Sequence, residues 1–278
     1  MENDGELREY ADPLQEGERV LTRSARNVLW WICLFVAPVV LFTIELFHPA
    51  GFTRDPGAYE YLSKPEAHTS AHQAIDYFGP AWWFALHMIQ TPMIGLVAIG
   101  LWLLISEVGP DSDPAARVLA WVSAIATFVF AVYYTVLDSI GGIGLGRSIE
   151  AAQRLAAEGR LTSTQVDGVA LFLDTVWTDP LVGGVGSVVS QTGSWTIFVA
   201  ATAAAAALFL ARQSPWPPLV LLVAFGWELQ LSHAMPHGPI AFALLTVAAL
   251  WIWWARHRSA APDRAVVAPA SARHAGLA

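Results

Sequence analysis

Long apolar stretches alternate with polar segments along this chain of 278 residues. Six stretches are apolar enough to be candidate membrane spans, and they cover residues 28–47, 80–105, 118–137, 195–210, 219–231 and 240–254. A helix needs about 20 apolar residues to cross a hydrocarbon core of about 30 Å. The pattern therefore predicts an all-α, polytopic membrane bundle of about six transmembrane helices, the last two rather short. The fourth span could begin earlier, in the glycine-rich stretch from Gly183.

A seventh span is the main alternative to this count. The stretch 166–177 is apolar, but it is too short to cross alone and it contains Asp167 and Asp174. We interpret it as re-entrant or interfacial, because backbone at membrane depth must find its hydrogen bonds within the protein. The glycine string at 141–146 predicts a flexible exit from the third span, and a short amphipathic helix follows with Ser148 as its N-cap.

Positive charges flank one side of the six predicted spans. They are Arg19, Arg23, Arg26, Arg117, Arg212, Arg256, Arg258, Arg264 and Arg273. Because cytoplasmic flanks are enriched in Lys and Arg, we place both termini in the cytoplasm. This predicts a cytoplasmic tail over 1–27, a transmembrane domain over 28–258 with extracytoplasmic loops at 48–79 and 139–190, and a disordered cytoplasmic tail over 259–278.

The composition agrees with a membrane location and removes other classes of protein. Hydrophobic residues make up 55% of the chain and charged residues only 14%, against about 25% charged in soluble domains. The single Cys33 excludes an intrachain disulfide framework, and the net charge of −8 argues against nucleic-acid binding. Lys64 is the only lysine among 15 basic residues, which together with abundant alanine indicates a bacterium of high genomic G+C and hence a bacterial cell membrane.

Ionisable residues gather near the predicted outer ends of the spans. They are Glu45, His48, His68, His72, His87, Asp138, Glu228, His233 and His237. An ionisable group near membrane depth is costly, so it marks a candidate functional site. Imidazole and carboxylate groups suit transition metals, and three ligands with an open position make a catalytic zinc site. We predict His87, His233 and His237 as metal ligands, with zinc as the favoured ion, and Asp138 as a ligand or as the base that activates bound water.

Simpler roles compete for part of this set. Three histidines fit the polar boundary of the membrane, and we interpret them as interfacial residues: His48, His68 and His72. The Pro and Gly residues at 236–239 make an uninterrupted helix unfavourable, so His233 and His237 are predicted to lie in a tight turn between the fifth and sixth spans.

One membrane family has a similar ligand set. A histidine on an early span, an aspartate on the next and HxxxH near the C-terminus resemble the alkaline ceramidase and adiponectin receptor group, and the matching positions are His87, Asp138, His233 and His237. The resemblance implies a membrane-embedded, zinc-dependent amide hydrolase. The chain departs from that group in its six predicted spans instead of seven, in the prolines near HxxxH, and in Tyr134, where the group has a serine.

Four functional hypotheses follow from the sequence. The first is a membrane-embedded metallohydrolase that acts on a lipid or another small molecule. The second is an electron-transfer protein with haem between two histidines, and the third is a transporter with a polar path through His87, Asp138 and Glu228. The inner halves of the spans carry almost no charge, which argues against the third. The fourth is a structural or accessory membrane subunit without chemistry of its own.

Overall fold

The computed structural model describes residues 24–48, 57–63 and 79–259. Their helices are α1 Ser24–Glu45, α2 Ala58–Ser63, α3 Gly79–Ile105, α4 Pro114–Leu137, α5 Leu145–Ala157, α6 Ser163–Trp177, α7 Val188–Leu210, α8 Trp216–Leu231 and α9 His237–Ser259. His68 and His72, with most of the predicted loop 48–79 and nearly all of both predicted tails, lie outside the described residues.

Five helices are long and apolar enough to cross a membrane: α1, α3, α4 together with α5, α7 and α9. They confirm the prediction of an all-helical protein built from apolar helices of membrane-spanning length. The remaining apolar helix, α8, has 16 residues, which is about 24 Å of helix against a hydrocarbon core of about 30 Å. Its role as a sixth span stays a prediction, as does the side of the membrane on which the termini lie.

The apolar helices close into a ring. Each packs on the next in the order α1, α3, α4, α7, α8 and α9, and α9 packs back on α1. All six of these helices contribute large side chains that are fully buried, among them Leu34, Phe130, Phe225 and Phe242. Alanines on α7 let α4 approach closely, and the Ser123 hydroxyl donates a hydrogen bond to the Ala200 carbonyl oxygen at 2.9 Å. Small side chains and interhelical hydroxyls are the usual means of association between membrane helices.

The outward face of α4 supports a membrane environment. Val118, Trp121, Ile125 and Phe128 follow one another at intervals of three or four residues, and each is at least 59% exposed. Residues at that spacing form one stripe along a helix. Such a stripe would be a large apolar patch in water, whereas acyl chains solvate it without cost.

The glycine string does not end the third predicted span. α4 continues through a π-helical turn, Asp138–Gly144, into α5, so Ser148 lies inside a helix and is not an N-cap. A Cβ at Gly146 would lie 2.9 Å from the Pro80 carbonyl oxygen. The prediction of a flexible exit is therefore wrong, because these glycines allow the helix to approach α3 while it continues.

Three helices outside the ring, α2, α5 and α6, form a cap over the end of the bundle that contains His48 and His87. Together with Trp83 of α3 they form an apolar cluster, to which they contribute Ala58, Tyr61, Leu62, Leu145, Ile149 and Leu173. Asp174 Oδ1 accepts a hydrogen bond from the Tyr59 backbone N–H at 2.9 Å, which ties α6 to α2. On α6, Leu171 and Phe172 are 70% and 65% exposed, and this agrees with the interfacial interpretation of that segment.

Gly100→Ala should destabilise the bundle by about 1–3 kcal/mol, the usual cost of overpacking. Its Cβ would lie 2.7 Å from Leu34 Cδ2 and 3.1 Å from the Cys33 carbonyl oxygen, so α1 and α3 would have to separate. Gly95→Ala in the same helix is the control, since a Cβ there meets nothing within 4 Å. It should be neutral, or stabilising by at most about 1 kcal/mol through helix propensity. Equal free energies of unfolding in detergent would contradict the close contact.

Candidate metal centre

Three histidines that are far apart in the sequence meet beneath the cap. His48 ends the α1 segment, His87 lies within α3, and His233 lies in the turn between α8 and α9. One ring nitrogen from each can be chosen so that all three lie within 4.8 Å of one another. The His48 ring stands edge-on to His87 and His233, with centroid distances of 5.5 and 4.8 Å. The structure thus brings together two predicted ligands and one residue that was predicted to be only interfacial.

Contacts between α1 and α3 position His48. Trp82 Nε1 donates a hydrogen bond at 3.0 Å to the carbonyl oxygen of Phe47, the residue before His48. The His48 ring packs on the indole of Trp83 at 5.1 Å and is only 5% exposed. His48 is therefore held inside the protein at the end of its helix and does not face the surrounding interface.

A backbone carbonyl sets the orientation of His87. Its Nδ1 lies 2.7 Å from the Trp83 carbonyl oxygen, which can only accept, so Nδ1 carries the proton and donates. The lone pair of the neutral ring is then on Nε2, and this arrangement is typical of metal-binding histidines. Gly142 lies directly against the other side of the ring, where any Cβ would overlap the imidazole. The π-helical turn thus gives the ring the room it occupies.

A turn joins α8 to α9 as predicted and it holds His233, whereas His237, which was predicted to lie in the same turn, is the first residue of α9. Ser232 Oγ accepts a hydrogen bond from the Ala234 backbone N–H at 3.0 Å and stabilises this turn. The His233 ring contacts the Tyr134 ring at a centroid distance of 5.6 Å. Burial, with a smaller contribution from His87, lowers the pKa of His233 to about 3, so the imidazole is neutral and able to bind a metal at neutral pH.

The third predicted ligand, His237, lies elsewhere. Its Nδ1 is 2.8 Å from Glu228 Oε2, and both side chains are partly exposed. This pair links the first turn of α9 to the end of α8. His237 is thus not part of the three-histidine group, although HxxxH places it only four residues from His233.

Asp138, the predicted ligand or base, is not a member of the three-histidine group, and Thr91 connects it to the backbone of His87. The Thr91 hydroxyl is 2.9 Å from the His87 carbonyl oxygen and 3.0 Å from Asp138 Oδ2. Asp138 is 1% exposed and Glu45 is fully buried, and the two carboxyl groups are close enough to interact electrostatically. Two carboxyl groups therefore lie in the same buried region as the three imidazoles.

Several oxygen atoms in this region have no donor among the described residues. They are both carboxyl oxygens of Glu45, Oδ1 of Asp138 and Oε1 of Gln90. The Gln90 amide itself donates to the Tyr134 hydroxyl at 2.5 Å, which links this group to the ring beside His233. A buried acceptor left without a partner costs about 1–3 kcal/mol. Because all four atoms are acceptors, their complement is a cation or a hydrogen-bond donor such as water.

The three imidazoles fit a metal ion better than a haem. Ligand nitrogens around tetrahedral zinc lie about 3.3 Å apart for bonds of about 2.0–2.1 Å. Shifts of about 1 Å in side chains that lie within 4.8 Å would reach that geometry. Haem needs a planar slot between two imidazoles, whereas these rings contact one another edge to face. The adjoining cavity, of about 10 Å³, is lined by His233, Tyr134 and Ser190 among others, and it has room for about one water molecule.

The predicted ligand set omitted His48, which meets His87 and His233, and Glu45, a buried carboxyl that interacts electrostatically with Asp138. Their separation of three residues, on one face of the first span, was the available signal. The same spacing is equally expected of residues at the membrane interface, because position along the chain cannot distinguish a buried helix end from one that is exposed to water. The fold decides between them, since Trp82 and Trp83 of α3 cover this end of α1.

Comparison of the chain with protein-family models, curated proteins and solved structures gave no match. The resemblance to the alkaline ceramidase and adiponectin receptor group therefore depends on four residues alone. Of these, His87 and His233 meet, Thr91 connects Asp138 to the His87 backbone carbonyl, and His237 contacts Glu228.

Thr91→Val should cost about 1–3 kcal/mol more stability than Thr135→Val. Both hydroxyls bond the carbonyl oxygen four residues earlier, but only Thr91 also reaches the buried Asp138 carboxyl. The isosteric valine removes that donor and leaves Asp138 with two unpartnered oxygens. Denaturant unfolding of the two variants in one detergent measures the difference. A cost for Thr91→Val no larger than that of the exposed control would contradict the Thr91–Asp138 bond.

Proposed function

We propose that this protein is a metal-binding membrane protein in which His48, His87 and His233 hold a transition metal ion, most favourably zinc. The convergence of three imidazoles from three separate segments carries the proposal. Three neutral imidazoles with a fourth position left for water or substrate are the ligand set of a catalytic zinc site. The Trp83 carbonyl supports it by directing Nε2 of His87 away from the backbone.

The neighbouring carboxyl groups favour hydrolysis as the chemistry of this site. Asp138 is the candidate base: it would take a proton from the water that attacks an amide or ester carbonyl, and return that proton to the leaving amine or alcohol. Glu45 lies close to Asp138, and its charge would be offset by a bound cation. Because the site lies at one end of an apolar bundle, we infer a lipid or another membrane-soluble small molecule as substrate.

A structural metal site in an accessory subunit is the second candidate. The cavity beside His233 holds about one water molecule, and the cap lies over the bundle end that contains the site. A substrate would require this cap to move, whereas an ion that joins α1, α3 and the α8–α9 turn would need no opening. The two candidates share the same ligands and differ in whether Asp138 takes part in a reaction.

Metal analysis of the purified protein, after incubation with zinc and removal of excess, should find about one ion per chain. His48→Gln, His87→Gln and His233→Gln should each weaken binding at least tenfold, since each removes one of three ligands. His237→Gln is the matched control and should bind as wild type does, because its imidazole belongs to the Glu228 pair. Less than a tenth of an equivalent in the wild type, or loss of metal only in His237→Gln, would contradict this ligand set.

Asp138→Asn should retain the metal and lose about 10²–10⁴-fold in hydrolysis of a fluorogenic fatty-acyl amide or ester in mixed micelles. Glu228→Gln is the matched carboxyl control, because Glu228 lies with His237 outside the three-histidine group. This variant should keep the hydrolytic activity of the wild type. Under the structural alternative, wild type and Asp138→Asn are equally inactive, while removal of metal with a chelator lowers the unfolding temperature of both.

A further inference from the structure

The opposite end of the bundle has a cleft of different chemistry. Arg26, Arg212 and Arg256 line it together with Trp30, Trp216 and Trp253, and its volume is about 1350 Å³. It lies where α1 begins, where α7 and α9 end, and where α8 begins. Tryptophan and arginine are the residues expected at the depth of lipid headgroups.

The charge of this cleft is positive after its internal pairs are counted. The Glu107 carboxylate forms ion pairs with the guanidinium groups of Arg26 and Arg256, at N–O distances of 2.6 and 3.4 Å. Asp113 caps α4 by accepting the Ala115 N–H at 2.7 Å. Among the described residues, Arg212 makes no ion pair. Its guanidinium is thus available for an anion.

Among the buried polar atoms of the cleft wall that lack a hydrogen-bond partner, donors also outnumber acceptors. Arg256 Nε and Trp253 Nε1 are buried without a partner among the described residues, against one unpartnered acceptor, Gln213 Oε1. A ligand rich in acceptor oxygens would complement this wall, and phosphate is such a group.

An apolar groove between α7 and α8 leads directly into the cleft. Phe209 and Trp216 line both, so the two are continuous. Alanines 205, 206 and 224 form part of the groove lining, and Phe198 and Trp227 mark its far end. From residue 198 to 209 the helix rises about 16 Å, which is about half of a hydrocarbon core of about 30 Å. The groove therefore has the length of one leaflet.

We propose that the groove and the cleft together bind one anionic phospholipid, with an acyl chain along α7 and α8 and the phosphate near Arg212. An acyl chain alone would not need the arginines, and a free anion would not need the groove. The continuity of the two at Phe209 and Trp216 selects a molecule that has both parts. Basic pockets between membrane helices are known to bind acidic lipid headgroups.

The full chain in nanodiscs of phosphatidylcholine, with rising fractions of phosphatidylglycerol, tests this site. Lipid binding is measured by native mass spectrometry and by the rise in unfolding temperature. Wild type should prefer phosphatidylglycerol. Arg212→Gln should weaken this preference about fivefold, the effect expected for one basic residue near the membrane surface. Arg117→Gln is the matched control, because it removes the same charge at the same end of the bundle but lies outside the cleft.

Ala206→Phe tests the groove by filling it, and it should weaken phosphatidylglycerol binding without affecting inorganic phosphate. Quenching of Trp216 by phosphatidylglycerol with brominated acyl chains, taken as the difference from Trp216→Phe, reports on occupancy even if Ala206→Phe fails to fold. Equal losses in Arg212→Gln and Arg117→Gln would overturn the proposal in favour of general surface charge. If inorganic phosphate competes for the site as well as phosphatidylglycerol does, or if Trp216 is not quenched, the proposal would be overturned in favour of a simple anion site.

Discussion

Ionisable side chains inside an apolar bundle lose the water that would solvate them, and this constraint governs the end of the protein that contains His48, His87 and His233. The buried imidazoles are held by backbone and aromatic contacts, as the Trp83 carbonyl and ring show. The carboxyl groups are only partly satisfied, since Glu45 has no hydrogen-bond donor among the described residues. A polar group buried without a partner is expensive, so these carboxyl oxygens favour a nearby cation or hydrogen-bond donor.

The two ends of the bundle differ because their polar groups differ in kind. One end has three imidazoles and carboxyl oxygens beneath a cap of α2, α5 and α6, and this environment suits a small cation. The other has arginines and tryptophans around an open cleft that continues into an apolar groove, and this environment suits an anion with an apolar tail. Between them the ring is filled mainly by apolar side chains, so an apolar core separates the two ends.

The membrane character and most helix positions could be predicted because they depend on local composition. Apolar runs of about 20 residues form helices wherever the bilayer must be crossed. The glycine string was misjudged because glycine favours both turns and close packing, and only the presence of α3 against Gly142 and Gly146 selects packing. The candidate site was predicted in part: His87 and Asp138 are conspicuous because they are polar within apolar runs, whereas His48 resembles an ordinary helix end.

The sequence by itself determined that this protein is built from apolar helices and that several of its histidines and carboxyls, among them His87 and Asp138, lie towards one end of those helices. Hydrophobic burial depends on residue type and spacing, both of which can be counted along the chain. Only the tertiary structure decided which histidines meet, because that depends on how the helices close into a ring and on how the turn before α9 is folded. It brought His48 to His87 and His233, and it turned His237 towards Glu228.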